Sequence, residues 1–162
     1  MTEITDELLA RSQADQKMRN DAMAGKSEWD NSVDRENTEY LKELIGKNGW
    51  PKKSVIGDEA ARAAWLLAQH ADHDPDFQEN CLKLMKELPD GEVDPAKVAY
   101  LEDRVLVNRG QPQIYGTQFY QDGEYFGPRP ITDVETLDER RAAVGLGPFK
   151  DYEAMMIDSK AD

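Results

Sequence analysis

One cysteine, two histidines and no long apolar run are what this 162-residue sequence has least of. A single Cys81 cannot close an internal disulfide, so the fold needs no oxidising compartment and a cytoplasmic setting fits best. No apolar segment approaches the roughly 20 residues of a membrane span. The start, MTEITDELL, has neither the basic stretch nor the apolar stretch of a secretory signal. Positive charge is scarce too: Lys+Arg number 20 against Asp+Glu 33, a formal net charge of −13 that repels phosphate backbones and anionic lipid. Nucleic acid and membranes are therefore not expected partners, whereas a polar small molecule, a peptide or a protein is. GxGxxG, a P-loop, the GxSxG elbow and HExxH are also missing, and no cofactor is expected.

The residues that are present read as a mainly α, compact single-domain helical bundle with a small β-hairpin. Residues 1–37 form an acidic, weakly anchored and partly flexible helical arm. The helical domain spans 38–155, and 156–162 is a disordered tail. Within the domain, the apolar stripe Tyr40, Leu41, Leu44 and Ile45 marks one helix, which stops at Gly46 to Gly49 before Trp50-Pro51. Residues 58–70, DEAARAAWLLAQH, have almost no polar face and predict a central buried helix. Asp74-Pro75 and Asp94-Pro95 each combine an N-cap residue with proline at the first helical position, so further helices start there. Glycines and aromatics over 112–127, with Asp122-Gly123 as a tight turn, predict the hairpin. TLDERRAAVG predicts a late helix ending at Gly145.

Three constellations carry candidate chemistry. QHADHDP, residues 69–75, holds both histidines with Asp72 and Asp74 at the end of the buried helix. That placement suits proton transfer by His70 near neutral pH; the simpler reading is a capped corner between two helices. Zinc on His70, His73 and one carboxylate is the sharper alternative. His-x-x-His alone is a weak spacing, however, and no metal is assigned. Cys81 lies on a core stripe and reads as a small hydrophobe. In YLEDRV, residues 100–105, Asp103 and Arg104 share a helical stripe, where an ion pair is the common outcome and a ligand clamp the functional one. In QIYGTQ, residues 113–118, a strand would set Gln113, Tyr115 and Thr117 on one face, with Gln118 pointing away unless Gly116 makes a bulge.

Gly49-Trp50-Pro51, Gln69-His70-Ala71-Asp72, Tyr100-Leu101-Glu102-Asp103-Arg104-Val105, Gln113 to Gln118 and Asp138 to Leu146 together resemble a bacterial family catalogued only as a domain of unknown function. The resemblance covers roughly residues 38–152. It brings no reaction, cofactor or catalytic residue; it implies that polar groups in three separate motifs belong to one pattern, as in a shared pocket.

The functional expectation is a small enzyme using general acid–base catalysis on a polar metabolite or peptide, of hydrolase, lyase or cyclase type. His70 is its acid–base group and Asp72 or Asp103 orients it. Gln69, Arg104, Gln113, Tyr115 and Gln118 bind substrate. The alternative is a non-enzymatic, acidic interaction or immunity-type protein that binds a basic partner through its carboxylates.

Overall fold

A computed structural model describes residues 2–161 and is mainly α, with one two-stranded antiparallel sheet among the described residues. The chain divides at Val93/Asp94 into two compact units. The first contains α1 (Thr2–Met23), α2 (Asn31–Asn48), α3 (Lys53–Ile56), α4 (Asp58–Gln69) and α5 (Pro75–Lys86). The second contains α6 (Pro95–Asn108), β1 (Phe119–Asp122), β2 (Tyr125–Pro128), a 3-10 turn (Val134–Thr136), α7 (Leu137–Ala143) and α8 (Phe149–Ala161).

The apolar helix expected at 58–70 is α4, and α1, α2, α3 and α5 all pack on it. Ala60, Ala63, Ala64 and Ala68 are almost fully buried; their small side chains let neighbouring helices approach closely. The N-terminal segment does not behave as a weakly anchored arm. Its helix, α1, packs along α4 and buries Leu8 and Asp15 completely. Burying one leucine side chain stabilises by roughly 1.5–3 kcal/mol. The low apolar content of α1 misleads because part of its inward face is polar.

The same cause hides the start of α2. GKSEWDNSVDREN reads as a loop, yet the helix begins at Asn31, capped by Asp30, whose carboxylate accepts the Ser32 N–H at 2.9 Å. Asn37 and Thr38 then face inward, both buried. The Asp-Pro starts hold as expected: Asp74 accepts the Phe77 N–H at 3.0 Å and Asp94 the Ala96 N–H at 2.9 Å.

In the second unit, Phe119 pairs with Pro128 and Asp122 with Tyr125, so Gly123 and Glu124 make the turn and Gly123 takes a positive φ of 59°. The hairpin is thus shorter than the expected 112–127. Gln113 makes only an isolated parallel bridge to Ile131, and 114–118 is an irregular loop rather than a strand. α8 packs on β2 and α7. The expected disordered tail continues α8 as far as Ala161; Asp162 lies outside the described residues, as does Met1.

Candidate functional site

In the first unit, Arg11, Asp15 and Arg19 recur every four residues along α1 and so project from one face. Asp34 and Asn37 do the same from the first turns of α2, and His70 caps the C-terminus of α4. The imidazole Nδ1 lies 3.0 and 2.9 Å from the two carboxylate oxygens of Asp15. An ionised carboxylate only accepts, so Nδ1 carries the proton and donates. Asp15 is fully buried, while the His70 side chain keeps 16% of its surface exposed. Nε2 has no hydrogen bond among the described residues.

Arg19 completes the cluster. Its Nη2 donates to Asp34 Oδ1 at 2.9 Å, Nη1 lies 3.6 Å from Asp15, and the guanidinium sits 4.8 Å over the Trp29 ring. Burial alone would raise the Asp15 carboxyl; the bond and charge of His70, with help from Gln16 and Arg19, outweigh burial and hold it below its ordinary value. For Asp34 burial wins over Arg19 and the carboxyl is raised. Two donors in this cluster, Arg19 Nη1 and Asn37 Nδ2, are buried without a hydrogen-bond partner among the described residues.

Asp15, Asp34 and His70 each offer a ligand atom within 4.8 Å of the others, a spacing that admits a metal ion. The Arg19 guanidinium, however, already serves as the cation between the two carboxylates, and we assign no metal. His73, the expected second ligand, is exposed and lies outside this cluster. Asp72 accepts from Gln78 Nε2 at 3.2 Å, and the same amide bonds the Ala68 and Gln69 carbonyls, so Asp72 helps tie the corner after α4. Gln69 is itself buried. The carboxylate that holds His70 is Asp15, from the segment expected to be a partly flexible arm. The Arg11-Asp15-Arg19 spacing was the available signal. Burial pushes the Cys81 thiol up to about 12, which removes it as a nucleophile.

The other expected site residues meet within the second unit. Asp103, fully buried, accepts the N–H groups of Ile114 (2.7 Å), Tyr115 (3.0 Å) and Thr117 (3.0 Å) and the Thr117 hydroxyl (2.9 Å). On the carbonyl side of this loop, Arg140 Nε donates to Ile114 O at 3.0 Å and Arg141 Nη1 to Tyr115 O at 2.6 Å. The loop's peptide dipoles therefore lie between a buried anion and two cations. Gln113 donates to the Gln118 and Arg129 carbonyls and accepts the Gln118 N–H; Gln118 Oε1 in turn accepts from Arg104 Nη1 at 2.9 Å. Asp103 and Gln113 are committed to shaping the loop. Tyr115 is half-buried, and its hydroxyl has no hydrogen bond among the described residues.

The class is that of a mainly α protein carrying a buried aspartate paired with a partly exposed histidine in one unit and a clamped loop in the other. The chain belongs to a family of unknown function, DUF6624, which it matches over residues 2–161. The match extends past both ends of the expected 38–152 and takes in Asp15 and Arg19. No curated protein and no solved structure matches the chain.

Proposed function

We propose that the chain is a small acid–base enzyme of hydrolase, lyase or cyclase type, acting on a polar metabolite or peptide. His70 Nε2 exchanges the proton with substrate or water, and Asp15 is the positioning carboxylate. What carries this reading is the hold of both Asp15 oxygens on Nδ1. It fixes the tautomer so that Nε2 is the nitrogen with a free lone pair, and it fixes the ring plane. The Asn37 amide nitrogen, buried without a hydrogen-bond partner among the described residues, adds support, because structural networks usually satisfy their buried donors. The −13 charge supports the second reading, an acidic interaction protein, whose binding to a basic partner would weaken with salt.

His70→Asn keeps a donor near the Nδ1 position for Asp15 and removes the titrating nitrogen. Purified wild type and this variant, both checked by near-ultraviolet circular dichroism, are screened on panels of esters, lactones, amides and short peptides. We expect turnover by the wild type and a loss of about 100-fold or more in the variant. Undiminished turnover by folded His70→Asn protein overturns the assignment.

A further inference from the structure

Away from the Asp15–His70 pair, the first unit has two adjoining hollows. One, of about 320 Å³, is lined by Glu3, Glu7, Tyr40, Glu43 and Lys47; the other, of about 290 Å³, by Trp50, Pro51, Val55 and Ile56. Ile4, Leu44 and Asn48 border both, so an acidic end and an apolar end form one groove. At the apolar end Trp50 is a buried floor, whereas Val55 is half exposed. At the acidic end Glu3 has no ion pair among the described residues. Glu43 faces Lys47 only at 3.8 Å, with both side chains 75% exposed, a pairing that water screens heavily. Glu7 is answered by Arg11 at 2.8 Å. Counting Lys47 and Arg11 against Glu3, Glu7 and Glu43, this end stays negative. Lys52 lines the apolar end. At the border, Asn48 Nδ2 donates to Leu44 O at 3.2 Å, while its Oδ1 has no hydrogen bond among the described residues and could accept a backbone N–H from an extended segment.

We propose that this groove docks a short segment of a partner protein in which an apolar side chain lies beside a lysine or arginine. The apolar side chain packs on Trp50, Val55 and Ile56, and the cation enters among Glu3, Glu7 and Glu43. Charge complementarity selects the occupant: a carboxylate-bearing segment or an anionic bilayer meets both a negative groove end and a chain of net charge −13. The surface is separate from the acid–base reading and does not rest on it.

Isotope-labelled full-length protein, titrated with acetyl-Leu-Lys-Lys-Leu-amide and with acetyl-Leu-Glu-Glu-Leu-amide, tests the proposal by nuclear magnetic resonance. We expect the basic peptide to shift the Trp50 indole signal and the amides of residues 43–48. Its affinity should fall roughly 3- to 10-fold in Glu3→Gln/Glu43→Gln and again at about 0.5 M salt. His70→Asn should bind as the wild type does, which separates failure here from failure of the catalytic assignment. No shifts at the groove, shifts scattered over the acidic surface, or equal shifts with the acidic peptide overturn the proposal.

Discussion

Asp15 and Asp103 are both fully buried aspartates, yet their partners differ in kind. Asp15 meets other side chains, namely His70, Gln16 and Arg19, of which His70 can titrate, Arg19 brings a fixed charge and Gln16 a neutral amide donor. Asp103 meets backbone, three N–H groups of one loop together with a threonine hydroxyl. Backbone donors neither titrate nor leave, so the Asp103 network defines a conformation. Around Asp15, the second imidazole nitrogen of His70 and the amide nitrogen of Asn37 have no hydrogen bond among the described residues. Saturation marks the second network as a scaffold, whereas the first keeps polar atoms without a hydrogen-bond partner among the described residues.

The largest expected effect comes from breaking the saturated side. Asp103→Ala strands three buried or half-buried N–H groups, each costing roughly 1–3 kcal/mol, and we expect a total loss of about 3–5 kcal/mol in urea unfolding. A loss below about 1 kcal/mol would show that water replaces the carboxylate and that the loop is not organised by it. Gly116→Ala comes next. Gly116 has a φ of +69°, and a Cβ there would lie 2.8 Å from the Phe149 ring, so strain and overlap together should cost about 2–3 kcal/mol. Loss of the Phe149 ring contacts in the variant's spectra would locate the damage.

The two networks also differ in how far they can be seen in sequence. The Asp-Pro helix starts and the alanine-rich, largely apolar α4 depend on local chemistry, and each lies where capping and burial rules put it. QIYGTQ does not form the expected strand, because Asp103 gathers the N–H groups of 114, 115 and 117 to one point while a strand alternates them. That gathering depends on a side chain more than ten positions away. α1 and the start of α2 are harder still. Their inward faces carry Asp15, Asp34, Asn37 and Thr38, so hydrophobic periodicity underestimates their burial. His70 was legible as a candidate, but its partner, 55 positions away in the chain, was not.

A smaller effect on stability, and a larger one on function, is expected from the unsaturated side. Asp15→Asn keeps one acceptor for His70 Nδ1 and removes the second carboxylate oxygen that helps fix the ring. Because Arg19 retains Asp34, we expect about 1 kcal/mol of destabilisation by thermal unfolding. Catalysis should fall by an order of magnitude or more. If both Asp15→Asn and His70→Asn destabilise as strongly as Asp103→Ala, the pair is a structural element and the contrast between the networks disappears.

The smallest effect is one of pH, and here the two aspartates should move in opposite directions. For Asp15, burial is outweighed by His70, so the folded carboxyl titrates below its ordinary 3.8. Its ionised form therefore contributes stability that is present above 3.8 and is lost as pH falls through the lower folded value. For Asp103, burial outweighs the N–H groups of Thr117, Tyr115 and Ile114, so the folded carboxyl titrates above 3.8. The contribution from its titration is full below 3.8 and declines as pH rises through the higher folded value. Carboxyl carbon resonances followed from pH 7 downward should show Asp103 taking its proton first and Asp15 last. The reverse order would mean that the backbone amides hold the Asp103 charge more firmly than His70 and Arg19 hold that of Asp15. The loop clamp, and not the Asp–His pair, would then be the better-stabilised anion.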